Sequence, residues 1–249
     1  MSTETKGRGW QGAVMKLMGA DDFEITVTGT RTITDHYLRL SFTGGGLLAR
    51  IDVHPTMWVR GWFSADGSLH QRGYTLIDPD PAADTFDIEF ALHDGTAANW
   101  ARAARPGDTL SVTVIGSDFQ IPEPTPAGWL IAADTASLPA VNSLLDALAA
   151  ADDPAPARIW FEYQHESDRT LPVHLRPQDT IAWIARANDG AALVDAVRAD
   201  RFDASGQHGW VALDSKSTRA VTGILRTDFG LGRKNVKSMA YWKVGKPYA

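Results

Sequence analysis

The sequence predicts a chain of two dissimilar halves, an antiparallel β-barrel followed by a smaller α/β domain on a parallel sheet. Three observations lead there. Up to Ile121, short stretches alternate apolar and polar residues and are separated by glycine and proline turn signals. Beyond it, continuous apolar runs alternate with helical patterns, as in strands buried on both faces of a parallel sheet. Between the two runs IPEPTPAG, a linker by composition. The expected domains are residues 1–121 and 127–249.

In the first half the alternating stretches are FEITVTGTR, HYLRLSF, MWVRGWF, GYTLI, TFDIEFAL and TLSVTVIG. Gly44-Gly45-Gly46, DPDPAAD and Pro106-Gly107-Asp108 separate several of them, and the spacing suits a barrel or sandwich. One helix, TAANWARAA, falls between the fifth and sixth strands. In the second half WLIAAD opens the sheet, and ASLPAVNSLLDALAA places Leu138, Val141, Leu144, Leu145 and Leu148 at helical spacing. Strands ARIWFEYQ and TIAWIAR, helix AALVDAVRA, strand GWVALD, helix STRAVTGILRTDF and strand VKSMAYWKVG complete it.

Bulk composition narrows the classes. Of 249 residues, 44% are hydrophobic and 22% charged, which is enough for a real core. A net charge of −6 gives no global attraction to nucleic acid or anionic membrane. Without cysteine there are no disulfides, thiolate zinc sites or cysteine-ligated clusters. The seven histidines form no HxH or HxxxH pair, so no protein metal site is expected. No apolar run approaches a membrane span, and AVMKLMGA, broken by Lys16, suits a secretory leader poorly. A soluble, cytoplasmic monomer is expected.

Three polar stretches stand out. In HQRGYTLIDPDP, strand alternation puts Arg72 and Tyr74 on one face and Gly73 and Thr75 on the other. A guanidinium beside a phenol suits something anionic and flat, since guanidinium pairs with phosphate and the ring offers an apolar face. In HDGTAANW, Thr96 is the expected N-cap of a helix whose free N–H groups would bind phosphate. In AADTASLPA, Asp134, Thr135 and Ser137 follow a buried strand, where α/β domains bind ligands. No GxGxxG, Walker A or GxSxG motif occurs, which disfavours an ordinary Rossmann dehydrogenase.

Taken in order, RGYT (72–75), FALHDGTAANWA (90–101), RPGDTL (105–110), WLIAADTASLPAV (129–141), IAWIAR (181–186) and AYWKVG (240–245) resemble the siderophore-interacting proteins. These are FAD-dependent ferric-siderophore reductases of the ferredoxin reductase-like superfamily. The chain also looks like the reductase domain of mycobacterial siderophore importers. The resemblance covers nearly the whole chain and implies an FAD-binding barrel and an NAD(P)-binding α/β domain. It implies that Arg72 meets the FAD pyrophosphate, that Tyr74 lies against the flavin and that Thr75 sits near its reactive part. His93, Thr96 and Ala97 fall in the segment resembling the family's flavin-side loop. Asp134, Thr135 and Ser137 would face flavin and nicotinamide, and Trp242 would approach the flavin. Arg186, matching an arginine in the family's W-x-x-R, would pair with the 2′-phosphate of NADPH, and Arg169 is a second candidate beside the repelling Glu166 and Asp168; NADPH is the expected donor, with NADH the alternative.

The chain departs from the family pattern at GTAANWA, which lacks the proline of the family's G-P-A-x-x-W-A, and at three further positions. Ala133 replaces a glycine, Leu213 replaces the glycine of A-G-E, and Lys243 replaces an arginine. A leucine at 213 would keep a ligand off the backbone. From Gly230 onward, Arg233, Lys234, Lys237, Lys243 and Lys246 occur without a carboxylate side chain, a basic patch that would steer an anionic ferric siderophore.

The expected function is electron transfer from NAD(P)H through flavin to a ferric siderophore, in association with a siderophore importer and with no side chain acting as acid, base or nucleophile. A general flavin reductase releasing reduced flavin is one rival. A non-enzymatic flavin or siderophore carrier is another, favoured by the Ala133 and Leu213 departures.

Overall fold

The computed structural model describes residues 21–65, 67–114 and 117–244. AVMKLMGA, Gly245 and Lys246 lie outside the described residues. The chain divides into two compact units, the first ending at Phe119 and the second beginning at Gln120.

The first unit is one seven-stranded antiparallel sheet. Its strands are β1 (Asp21–Thr34), β2 (Tyr37–Thr43), β3 (Trp58–Ala65), β4 (Ser68–Thr75), β5 (Ile77–Asp80), β6 (Thr85–Ala91) and β7 (Thr109–Val114), with helix α1 (Thr96–Ala103) before β7. The spatial order is β4-β3-β7-β1-β2-β6-β5. GYTLI, expected as a single strand, is divided. Leu76 is buried, and its N–H donates to the Met57 carbonyl at 2.9 Å. Asp78 then takes a left-handed φ of 47°, and Pro79 has no N–H, so the chain cannot continue along β3. It pairs instead with β6. The two edge strands are thus successive in sequence, and the sheet must curl until its edges approach. Inside the curl, Ile25, Leu40, Phe42, Val59, Ile88, Phe90 and Val112 are almost completely buried. They alternate with outward residues, as the period-two pattern requires.

The second unit is a five-stranded parallel sheet flanked by helices. It comprises β8 (Trp129–Asp134), α2 (Leu138–Ala150), β9 (Ala157–Tyr163), β10 (Thr180–Ala185), α3 (Ala191–Ala199), β11 (His208–Asp214), α4 (Ser215–Thr227) and β12 (Val236–Trp242). The order is β10-β9-β8-β11-β12, every pair parallel. The chain winds outward from β8 through β9 to β10, then returns to the other side for β11 and β12. That reversal makes the gap between β8 and β11 a topological switch point, where doubly wound sheets bind ligands at their carboxyl ends. β8 and β11 are buried along their whole length, which is why they read as unbroken apolar runs. Helix α4 starts two residues before the apolar pattern predicts, because the Asp214 carboxylate accepts from the N–H groups of Lys216 and Ser217. Among the described residues no helix is long and apolar enough to cross a membrane.

Candidate functional site

In the first unit, β4 carries Arg72, Tyr74 and Thr75 in its last four residues. Tyr74 is half-buried, edge-on to Phe63 at 5.8 Å and tilted against Phe90 at 4.5 Å; burial pushes its phenol well above the usual range. Arg72 shares that face. One guanidinium nitrogen donates to the Gln71 carbonyl at 2.6 Å, and among the described residues it has no carboxylate partner. Thr75 is nearly buried on the opposite face, and Gly73 between them is exposed.

Helix α1 begins nearby in sequence. Its N-cap is Gly95, in extended conformation and making no side-chain cap, so Thr96 is the first helical residue and not the expected cap. The correction is a shift of one position, and it leaves the N–H groups of the first turn without a side-chain acceptor. His93 is exposed, with its ring against Gly95; Ala97 is buried. Trp100 packs against the barrel core, edge-on to Phe63 at 5.5 Å.

A further pair of unsatisfied groups lies on the other face of β3 and β4. Arg60 sits opposite Gly73 in the register and stacks on Trp58 at 4.7 Å. Its Nε and the Oε1 of Gln71 are buried without hydrogen-bond partners. Desolvation lowers the Arg60 pKa, as expected of a guanidinium without a counter-charge. An Arg72 with no carboxylate partner among the described residues, a helix head without a side-chain cap and a half-buried phenol together fit a dinucleotide bearing a charged pyrophosphate and a flat ring.

In the second unit the carboxyl ends of the strands gather a charged cluster. Asp134, closing β8, accepts from the N–H of Ala136 at 3.0 Å and, through its other oxygen, from Trp242 Nε1 at 2.7 Å. Ser137 is fully buried and donates its hydroxyl to the Ala212 carbonyl at 2.8 Å, tying β11 to the turn after β8. Thr135 is buried beside them. Arg186, just past β10, pairs with Glu162 Oε2 and reaches Asp214 Oδ2 at 3.4 Å, while its guanidinium lies over the Trp242 ring at 4.7 Å. The guanidinium expected to meet a 2′-phosphate is thus already bonded to two carboxylates. Gly190, at φ +85°, backs this group; a Cβ there would collide with Ser217 Oγ.

Burial pushes the Asp134 carboxyl up to about 7, with the nearby Glu162 charge adding to it. This lies above the unfolded carboxylate range, so the folded chain keeps a proton that the unfolded chain releases. Stability should therefore fall as pH rises from about 4 through about 7. In urea unfolding, Asp134→Asn should flatten that slope; an unchanged slope would mean that Asp134 is ionised in the folded state. Among the described residues no group of three or more His, Cys, Asp or Glu is placed to hold a metal ion.

Two other expectations change. Leu213 is fully buried in the core with Leu130, Val221 and Leu225, so its side chain fills the unit's interior and does not project into a crevice. Nor do the basic residues form one patch. Arg233 and Lys234 occupy a turn before β12, Lys237 is near its start, and Lys243 follows its end. The strand's direction sends them to opposite ends of the sheet, about 20 Å apart at 3.3 Å per residue.

Residues 24–116 match the family model of the siderophore-interacting FAD-binding domain, and residues 126–245 that of the siderophore-interacting protein. The chain belongs to the siderophore-interacting protein family. FAD is accordingly the cofactor of its first unit. The chain is 34% identical over 96% of its length to the mycobactin import ATP-binding/permease protein IrtA of Mycolicibacterium smegmatis, of which it spans only 28%. It is 28% identical over 70% of its length to the ferric vibriobactin reductase ViuB of Vibrio cholerae, spanning 65% of that protein. A siderophore utilization protein from T. fusca superposes with a TM-score of 0.79 at 20% identity, covering 92% of this chain and 96% of that one. Ferredoxin-NADP+ reductase from Plasmodium falciparum shares the fold at a TM-score of 0.64 and 12% identity, covering 89% of this chain and 97% of that one.

Glu162 and Arg60 were not singled out from the sequence. Each had a signal: a charge inside a largely apolar stretch, Glu162 following the apolar Ile159-Trp160-Phe161 in ARIWFEY and Arg60 alone in MWVRGWF. Such charges are rarely buried unless they pair or bind something.

Proposed function

We propose that this siderophore-interacting protein is an NAD(P)H-dependent ferric-siderophore reductase that loosens iron from its chelate by reducing it. The observation that carries the reading is Arg72, without a carboxylate partner among the described residues, beside the half-buried Tyr74, in a unit of FAD-binding family. Arg72 and the open N–H groups of Thr96 and Ala97 would hold the pyrophosphate, and Tyr74 would present its ring to the flavin, with Thr75 and His93 beside it. The second unit would take the nicotinamide at the carboxyl end of its sheet, near Asp134, Thr135, Ser137 and Trp242. Bound FAD supplies the conversion from a two-electron hydride donor to single-electron delivery. Each NAD(P)H yields two electrons and one proton, so two ferric centres become ferrous per turnover. Oxygen-rich chelators hold hard Fe(III) far better than Fe(II), and the reduced ion is released. Among the basic residues, Lys243, just past β12, would meet an anionic chelate at that end; Arg233, Lys234 and Lys237 would act on it only at longer range. Delivery from a siderophore importer is the natural source of substrate, as the likeness to IrtA suggests.

The purified protein tests this reading. It should be yellow, bleach anaerobically on adding NADH or NADPH, and release ferrous iron to a trapping chelator from ferric siderophores. Equal turnover of free flavins with no preference among iron chelates would favour a flavin reductase, and no bleaching by either nucleotide would favour a carrier.

A further inference from the structure

We infer that Glu162, with its grip on Arg186, makes the second unit select NADH over NADPH. The inference rests on the reading that a nicotinamide dinucleotide is the donor. In doubly wound sheets the second strand in sequence lies beside the first, and its carboxyl end grips the adenosine ribose. A carboxylate there accepts from the 2′-hydroxyl, whereas an arginine nearby receives a 2′-phosphate. The glycine fingerprint of such folds is missing here, but the strand order that creates the position is present. β9 is that second strand, and Glu162 is its penultimate residue.

Both kinds of side chain are available, so their pairing decides the outcome. Arg186 is 13% exposed and bonded to two carboxylates, Glu162 and Asp214, each 2% exposed. Trp242 covers one face of its guanidinium. Two carboxylates against one guanidinium leave the trio net negative. A phosphomonoester, itself carrying about −1.5 to −2 charges, would have to displace a buried carboxylate to reach Arg186. A ribose hydroxyl carries no charge for the two carboxylates to repel. Glu162 Oε1 is buried and lacks a hydrogen-bond donor, and a 2′-hydroxyl supplies the missing one.

The other groups facing Glu162 are accounted for. Asp134, its register partner on β8, adds negative charge beside it in proportion to its ionisation, which counts further against a phosphate. The Ser217 hydroxyl is buried against Gly190.

Calorimetric titration of the flavin-loaded protein with NAD+ and NADP+ tests the inference without turnover. NAD+ should bind at least ten times more tightly, and Glu162→Gln, which keeps the shape and removes the charge, should narrow that ratio at least fivefold. Anaerobic bleaching by NADH and NADPH should show the same order. Equal or tighter NADP+ binding by the unaltered protein would overturn the inference while leaving the nicotinamide reading intact. Binding of neither, with the flavin left oxidised by both, would overturn that reading and this inference together.

Discussion

Replacing Arg186 with methionine should destabilise the second unit by about 3–5 kcal/mol, the usual effect of removing one partner of a buried ion pair. Methionine fills much of the volume, so the loss is electrostatic. Glu162 and Asp214 are left buried with no counter-charge. Burial already raises the Glu162 pKa, and Arg186 is what holds it down. In the variant that carboxyl would rise further, above its unfolded value. The deficit should therefore be largest above neutrality and shrink on acidification, as the folded state takes up a proton. Denaturant unfolding at several pH values measures both. A loss under about 1 kcal/mol with no pH dependence would mean that water already solvates the cluster. Arg186→Lys should recover only part, because an ammonium cannot bridge two carboxylates while lying flat on Trp242.

Arg72→Ala should weaken FAD binding by about 1.5–3 kcal/mol, the worth of a hydrogen bond to a charged group. That is roughly 10- to 150-fold in affinity. Titrating flavin-free protein with FAD and following flavin fluorescence gives the number. Folding should be little affected, since the side chain's bond inside the protein is to the neighbouring Gln71 carbonyl. Unchanged affinity would remove Arg72 from the pyrophosphate. Arg72→Lys should fall between the two, keeping the charge and losing the planar fork.

The pieces of this molecule that were legible in the sequence are those decided within one strand or helix. The side shared by Arg72 and Tyr74 follows from strand alternation alone, and the unbroken apolar runs WLIAAD and GWVALD announced buried parallel strands. The division at Leu76 was hidden because an apolar residue there continues the pattern of GYTLI. The acidic cluster was hidden for a different reason. Asp134 and Trp242 are 108 residues apart and meet only because the strand order sets β8 and β12 on either side of β11. Periodicity says which way a side chain faces but not which strand lies beside it. The basic residues show the converse, being neighbours in sequence that a single strand carries apart.

The corner at Leu76 has a mechanical consequence. The residues that would clasp the dinucleotide end one position before the place where the sheet's two margins come together. A ligand clasped there acts as a rivet beside an open joint, and its binding energy opposes fraying of both margins at once. Losing the flavin would then loosen β4 and β5 together, although they stand at opposite extremes of the strand order.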